Sequence, residues 1–113
     1  MNQLLDWKTF ESVQMEVGTV ILATPFPEAK QPAMIVHVDF GDARGILKTS
    51  AQITKRYQPE DIIGKQVIGV INFPSKQIGP MRSEFLLLGA LDAEKGTALL
   101  TVDEFIQPGT RIA

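Results

Sequence analysis

The sequence predicts a single all-β domain with short helices, and three observations support this class. Short apolar segments rich in valine and isoleucine alternate with turns that contain glycine, proline or aspartate. Helical signals are confined to short segments that begin at a capping residue or a proline. The chain has 113 residues, 44% of them hydrophobic and 21% charged, which suits one globular domain over residues 1–113.

The N-terminal half is predicted to form a helix followed by three antiparallel strands. Asp6 can cap a short helix that runs to about residue 14, with Trp7 and Phe10 along one side. Because so short a helix is unstable alone, we expect these aromatic residues to dock on another surface. Strands are predicted at residues 16–23 and 34–40, and a third begins at residue 44 after a Gly-Asp turn.

The C-terminal half is predicted to contain two short helical segments and two main strands. Thr49 and Gln52 resemble a capping box, which predicts a helix ending near residue 57. Pro59 suits the first turn of a second helical segment. Strands at residues 65–73 and 83–90 follow, and residues 99–102 and 110–112 are predicted to add edge strands. Phe73 ends an alternating segment, so we expect it to face the core.

This order of elements matches the five-stranded oligonucleotide/oligosaccharide-binding (OB) barrel, with an N-terminal helix and C-terminal edge strands added. A plain β-sandwich is the alternative. The segment 85–88 is apolar on both faces, whereas an antiparallel strand with one wet face should alternate. Its outer face therefore needs a cover, either the N-terminal helix or a second copy of the chain. We favour the second copy, which predicts a homodimer.

The composition argues against most kinds of catalytic and metal site. The chain has no cysteine and one histidine, which excludes disulfides, thiol catalysis, zinc held by cysteine and clusters of histidines. That histidine, His37, shares a strand face with Asp39, but a lone histidine on a strand is typical of a surface position. With no phosphate-binding glycine loop or nucleophile elbow, the sequence predicts a protein that is not an enzyme and needs no cofactor.

The N-terminus and the apolar runs bear on where the protein works. The first residues lack the cationic start and long apolar stretch of a signal peptide. No apolar run approaches the length that spans a membrane. We therefore expect a cytoplasmic protein that does not insert into membranes.

The net charge of −2 conceals an uneven distribution along the chain. Residues 44–82 hold seven cations and two anions, a balance of +5, whereas the remaining residues hold four cations and eleven anions, a balance of −7. The basic middle predicts a face that binds a polyanion. Cations scattered over several solvated faces are the alternative, and on charge alone that alternative is favoured.

The most informative segment is residues 72–84, a loop between two apolar runs. Its two prolines and a glycine exclude a helix, so it is predicted to be a rigid loop at the barrel rim. Lys76 lies where no helix dipole requires a cation, and Arg82 begins the next strand. Asn72 either closes the loop or contacts a base. Lys55 and Arg56 suit phosphate contacts and the stabilisation of a helix C-terminus equally well.

Several segments together resemble the CsaA family, small proteins described as export-related chaperones and as tRNA-binding proteins. The matching segments are Phe26-Pro27-Glu28-Ala29, Val38-Asp39-Phe40-Gly41, Ser50-Ala51-Gln52-Ile53-Thr54 with Tyr57, Asn72-Phe73-Pro74 with Lys76 and Ile78, and Ser83-Glu84 with Leu86 and Leu88-Gly89. The resemblance covers roughly residues 10–112. It implies an OB barrel, a homodimer, and binding of tRNA and of unfolded polypeptide.

CsaA is part of a wider group of OB-fold tRNA-binding modules, found also at the C-terminus of some methionyl-tRNA synthetases. The Asn-hydrophobic-x-Pro-x-Lys loop of that group resembles the segment with Asn72, Pro74 and Lys76. The group also has a Ser-x-Gly-Met element, where this chain reads Ser83-Glu84-Phe85-Leu86. That departure favours CsaA over the synthetase-type modules.

Two hypotheses of different classes follow. In the first, a dimeric protein binds tRNA, with phosphate contacts from the cations and positioning by two polar residues: Lys48, Lys55, Arg56, Lys76 and Arg82, with Asn72 and Ser83. In the alternative, a chaperone binds unfolded polypeptides in protein export through apolar residues that could equally form the dimer contact. Those residues are Trp7, Phe10, Ile78, Met81, Phe85 and Leu87. The two activities are compatible with each other.

Overall fold

A computed structural model describes residues 3–113, and its regular elements are short strands with two short helices. In chain order they are α1 (Trp7–Glu11), β1 (Met15–Pro25), β2 (Met34–Asp39), β3 (Ile46–Ala51), α2 (Pro59–Ile62), β4 (Gln66–Val70), β5 (Lys76–Ile78), β6 (Met81–Ser83), β7 (Leu86–Leu87), β8 (Gly89–Ala90), β9 (Ala98–Leu99) and β10 (Arg111–Ile112). The predicted class, all-β with short helices, is confirmed.

The main sheet curls around the long strand β1. Its strand order is β3-β2-β1-β4-β7, all antiparallel, and β10 adds to the edge of β1. The first half of β1 pairs with β4 and the second half with β2, so one strand belongs to both sides of the sheet. A register shift between Val20 and Leu22 marks the irregularity that lets β1 bend. The result is a nearly closed barrel consistent with the predicted OB fold.

Hydrogen bonds between β3 and residues 83–85 close the remaining gap in the barrel. The Glu84 N–H donates to the Lys48 carbonyl at 2.8 Å, and the Lys48 N–H donates to the Glu84 carboxylate at 3.0 Å. One step further along, the Ser50 N–H donates to the Ser83 hydroxyl at 3.0 Å. These contacts fix the start of the segment that follows the rim loop.

The capping box predicted at Thr49 and Gln52 is wrong, because β3 continues to Ala51. The β2–β3 pairing extends to Met34 opposite Ala51, and Thr49 is 2% exposed inside the barrel wall. Its hydroxyl donates to the Phe85 carbonyl at 2.8 Å, instead of accepting a hydrogen bond from the first turn of a helix. Residues 53–57 form a single turn, and helix begins only at Pro59, as predicted for the second segment.

The barrel interior is filled by the inward residues of the main sheet. The largest fully buried side chains include Phe40, Met34 and Ile62. Phe85 packs edge-on against Phe40, with ring centroids 5.0 Å apart and an interplanar angle of 84°. The apolar segment 85–88 does not form one continuous strand, since β7 covers only Leu86–Leu87.

A second apolar cluster lies outside the main core and joins the β5–β6 hairpin to the barrel. Phe26, Ala33 and Met81 are buried in it, and Ile35 of β2 and Ile78 of β5 pack against them. The hairpin therefore rests on the β1–β2 loop and on the outer face of β2. This packing gives the rim loop a defined position without a helix beneath it.

The N-terminal helix is shorter than predicted and only partly docked. Asp6 caps it as expected, accepting a hydrogen bond from the Thr9 N–H at 2.7 Å. Phe10 is half-buried, whereas Trp7 is 82% exposed, so docking within this chain is seen for Phe10, and docking of Trp7 on another surface stays a prediction. Among residues 3–113, neither helix has the length or the apolar character needed to cross a bilayer.

Candidate nucleic-acid interface

An open groove of about 980 Å³ runs along the barrel rim beside the β5–β6 hairpin. Its walls are the β1–β2 loop around residues 28–33, the end of β3 around residues 49–52, and residues 73–79. Ser83, Phe85 and Leu86 complete its lining. The residues come from distant parts of the sequence, and the barrel brings them together.

The hairpin that forms one wall is held in register along its whole length. Lys76 pairs with Ser83, Gln77 with Arg82, and Ile78 with Met81. The turn needs Gly79, because its φ is +57°, a conformation that other residues rarely adopt. A Cβ atom placed on Gly79 would lie 3.6 Å from the carbonyl oxygen of Glu28, which is ordinary contact distance. The hairpin tip therefore reaches the opposite loop, and the groove is bounded by two elements that contact each other.

Phe73 lines the groove, contrary to the expectation that it faces the core. It is 56% exposed, and its neighbour Pro74 is also exposed. The expectation extrapolated an alternating pattern, but residues 67–71 are all buried and the strand ends at Val70. An aromatic ring beside a rim loop is a surface on which a planar group can stack.

Two lysines and one glutamate are the charged residues that line the groove. Lys30 belongs to the β1–β2 loop, Lys76 to β5, and Glu28 lies near Lys30, which gives a local balance of +1. Both lysines are exposed, and within residues 3–113 neither takes part in an ion pair. Sequence reasoning did not single out Lys30, because a lone lysine in a proline-rich loop gives no signal without the hairpin opposite it.

Arg82 braces the hairpin from its outer side rather than lining the groove. Its guanidinium donates to the Ser75 hydroxyl at 2.8 Å and to the Gln77 side-chain carbonyl at 3.3 Å. These bonds hold residues 75–77, and hence the backbone that carries Lys76. Arg82 is exposed and keeps further donors that can face a ligand.

The two predicted polar partners, Asn72 and Ser83, are used within the chain. The Asn72 amide donates to the Ser12 carbonyl at 2.8 Å and accepts from the Gln14 N–H at 3.0 Å. It thus ties the segment after α1 to the end of β4. The Ser83 hydroxyl lies 2.7 Å from the Thr49 hydroxyl in the bonds that close the barrel.

The other predicted cations are placed away from the groove or beside it. Lys55 donates to the Ala93 carbonyl at 3.2 Å. Arg56 donates to the Gly96 carbonyl at 3.0 Å and pairs with Asp92 at 2.9 Å. Both hold the turn before β9 and not a helix C-terminus. Lys48 is half-buried on β3, two residues before Ser50 of the groove wall.

Most of the apolar residues predicted to bind peptide or a second subunit are packed inside this chain. Met81 is 6% exposed and Phe85 5%, while Leu87 packs against the main core and Ile78 against the second cluster. Phe10 is half-buried, so Trp7 is the fully exposed member of the set. Leu86, which was not among the predicted binding residues, is 46% exposed and lines the groove.

A second, smaller cavity of about 460 Å³ lies between β4 and residues 99–105. Lys65, Asp103 and Phe105 are among the residues that line it. Residues 3–113 contain no group of three or more His, Asp or Glu side chains arranged to hold a metal ion. The rim groove is larger than this cavity and is lined by the predicted Lys76, so we take it as the candidate binding site.

Comparison with known proteins places the chain in a family. Residues 15–111 match the family described as "Putative tRNA binding domain". The chain belongs to this family. The CsaA chaperone of Bacillus anthracis has a similar structure, with a TM-score of 0.92 and 39% sequence identity over 98% of this chain and all of that one.

Two further relatives show how widely this domain is used. The CsaA chaperone structure of Picrophilus torridus is 39% identical, with a TM-score of 0.91, over 97% of this chain and all of that one. The methionine–tRNA ligase of Methanocaldococcus jannaschii is 32% identical over 96% of this chain. This chain spans only 16% of that ligase, about one-sixth of its length. The resemblance to CsaA inferred from the sequence is confirmed.

Proposed function

We propose that this protein binds tRNA through the rim groove and the β5–β6 hairpin. The observation that carries the proposal is Lys76, an exposed cation on a hairpin that is braced from outside by Arg82 and from below by Met81. Because the backbone that carries Lys76 is held in place, less conformational entropy is lost when its side chain contacts a phosphate. Membership of a tRNA-binding family supports tRNA as the polyanion.

The phosphate contacts are assigned to cations around the rim, three of them exposed and Lys48 half-buried. Lys76 and Lys30 face the groove, Arg82 lies on the outer side of the hairpin, and Lys48 lies beside the groove on β3. Lys55 and Arg56 belong to the proposal more weakly, because their side chains already bond residues 92–96. Asn72 and Ser83 act by fixing the loop that presents Lys76.

The test compares Lys76→Ala with Lys95→Ala in tRNA titrations at several salt concentrations. Lys95 is an exposed lysine in the turn before β9 and does not line the groove, so its removal changes the net charge equally. We expect Lys76→Ala to weaken binding and to lower the salt slope by about 0.7–0.9 per groove, because one phosphate contact is lost. Lys95→Ala should leave both quantities near the wild-type values. Equal effects of the two variants would show that only net charge matters.

A second candidate function is the binding of unfolded polypeptide. The observation that favours it is the apolar part of the groove, where Phe73 and Leu86 are each about half exposed. The similar structures from Bacillus anthracis and Picrophilus torridus carry the name chaperone. Apolar binding of this kind should be almost independent of salt, unlike phosphate contacts. Suppression of aggregation of a denatured reference protein would support it, and no effect at any protein concentration would remove it.

We further propose that the protein is a cytoplasmic homodimer and acts by binding rather than by catalysis. The matched family is described by what it binds, which supports a binding function without a catalytic step. A second copy would cover exposed apolar side chains that a single chain leaves in water, Trp7 above all. Two grooves in one dimer would contact one structured RNA at two places and so raise a weak affinity for each site.

A further inference from the structure

The groove contains a feature that phosphate binding does not require, the exposed ring of Phe73. Because the Phe73 side chain is 56% exposed, it contributes little to the hydrophobic core. Core packing therefore does not explain its position. It lies three residues after the end of β4 and is followed by Pro74, which limits the conformations of the backbone beside it. The ring is therefore presented on a short, restricted segment rather than on a loose loop.

Positive charge lies on both walls around this ring. Lys76 is three residues further along the same wall, and Lys30 belongs to the opposite loop. Glu28 is the sole carboxylate among the residues that line the groove. An aromatic face and two cations that line one groove suit a group that is planar and apolar at its centre and anionic on either side. A nucleotide within a strand, with a base and two flanking phosphates, has this chemistry.

Amide and hydroxyl groups in the walls of the groove supply the polar contacts that a base needs. Gln31 and Gln52 are exposed at the groove, and Ser50 is half-buried in its wall. Amide side chains both donate and accept hydrogen bonds, so they suit the edges of a base. The groove volume of about 980 Å³ lies in the range of about 300–1,000 Å³ typical of small-ligand sites.

We infer that the groove binds one unpaired nucleotide, with its base stacked on Phe73 and its flanking phosphates held by Lys30 and Lys76. In a duplex both faces of each base are covered by its neighbours, so the ring can reach only a base that is unpaired and unstacked. The inference deepens the proposed function and rests on it: the part of the tRNA that enters the groove is a single-stranded segment. An apolar peptide would not require cations on both walls.

The experiment uses the full chain with three fluorescent probes: a single-stranded octaribonucleotide, a blunt-ended RNA duplex and an unfolded polypeptide. Phe73→Ala is compared with Phe105→Ala, since Phe105 is also exposed (73%) but lines the second cavity. We expect Phe73→Ala to weaken binding of the octaribonucleotide by roughly 5- to 150-fold, the range for loss of one base–aromatic stack. Phe105→Ala should bind it like the wild type. The salt slope should not change with Phe73→Ala, because no charge is removed.

A second variant, Phe73→Trp in a Trp7→Phe background, makes the groove residue the only tryptophan. Stacking of a base on this indole should quench its fluorescence as the octaribonucleotide is added, while the duplex should not. If Phe73→Ala fails to fold, its loss of binding says nothing about stacking, and the quenching seen with Phe73→Trp then supplies the test. The same titration reports directly on contact with the base, which a merely structural role of Phe73 would not produce.

The outcomes separate the inference from the proposed function. If Phe73→Ala binds the octaribonucleotide as tightly as the wild type while Lys76→Ala weakens tRNA, tRNA binding stands and stacking is overturned. If the wild type binds the octaribonucleotide through Phe73 but not intact tRNA, the nucleotide site stands and tRNA is the wrong RNA. If Phe73→Ala weakens only the unfolded polypeptide, the groove is a peptide site and the inference is overturned.

Discussion

At the scale of single residues, the polar side chains near the rim divide into two groups. Asn72 and Ser83 bond the backbone of distant segments, whereas Lys30 and Lys76 extend into the groove. The first group determines where the loop lies, and the second group is left to meet a ligand. A polar residue in a rim loop is therefore not evidence of a ligand contact until its partners within the chain are known.

Thr49, whose hydroxyl bonds that of Ser83, gives the clearest prediction for the residues that bond within the chain. Its one hydroxyl hydrogen is donated to the Phe85 carbonyl at 2.8 Å, so in the Thr49–Ser83 contact the Ser83 hydroxyl is the donor. Thr49→Val keeps the shape but leaves the Phe85 carbonyl without this donor in a buried place. We expect the free energy of unfolding in urea to fall by about 1–3 kcal/mol.

Thr110→Val is the matched control for this prediction. Thr110 is exposed, and its hydroxyl donates to the Gln107 carbonyl at 2.6 Å, where water can replace it. Its removal should change the free energy of unfolding by no more than about 0.5 kcal/mol. If the free energy of unfolding falls by the same amount in both variants, the buried bonds of Thr49 stabilise the protein no more than an exposed bond does. The account of barrel closure would then be wrong.

The sequence could not reveal these partners, and the reason is their distance along the chain. Asn72 bonds Gln14 across 58 positions, and Thr49 bonds Ser83 across 34. The local pattern around Thr49 favoured a capping box, but pairing along the whole of β2 decided the outcome in favour of a strand. Phe73 was assigned to the core for a similar reason, since alternation was assumed beyond the point where β4 ends.

At the scale of elements, the strands of the main sheet were predicted well because their signals are local, whereas the β5–β6 hairpin lies in the segment that was predicted to be a loop. The apolar alternation of β2 and the turns that bound it predict the observed burial pattern, with Met34, Val36 and Val38 inside. The long segment 83–90 was harder, because it is broken into β6, β7 and β8. Its apolar run reflects a core residue, Phe85, beside the exposed Leu86, and not a strand buried on both faces.

Helix α1 has a pH-dependent cap that can be measured. Hydrogen bonds from the Thr9 side chain and backbone N–H lower the pKa of Asp6 below its ordinary value of 3.8. A carboxyl group whose pKa is lowered by folding stabilises the helix above its unfolded pKa, and that stabilisation is lost as the pH falls through the folded value. We therefore expect α1 to lose order in acid, as Asp6 becomes protonated. Between about pH 5 and 8 its order should not change, because Asp6 is ionised throughout that range.

Trp7, the only tryptophan and the first residue of α1, reports on this change through its fluorescence anisotropy. Asp6→Asn is the control, because asparagine is a good N-cap that does not titrate. The wild-type anisotropy should fall in acid, and that of Asp6→Asn should stay level over the same range. A parallel fall in both proteins would mean that another group controls the helix.

At the scale of the whole molecule, the rim and the rest of the surface differ in charge. The chain carries −2 overall, so its long-range field does not attract RNA, and binding has to rely on cations placed at the rim. Single grooves with so few phosphate contacts bind weakly and in a salt-dependent way. A second copy of the site, held at a fixed distance, is the physical route to useful affinity.

The proposed homodimer can be tested by mass and by Trp7 fluorescence together. We expect a solution mass of twice the chain mass of 12.4 kDa, measured by light scattering during size-exclusion chromatography. Trp7 is 82% exposed in the single chain, so a dimer that covers it should emit at shorter wavelength and shift to longer wavelength on dilution. Trp7→Ser should weaken the dimer, whereas Phe105→Ser, which removes an aromatic side chain that is 73% exposed, should not. A single-chain mass at every concentration would exclude the dimer, and each groove would then have to bind RNA alone.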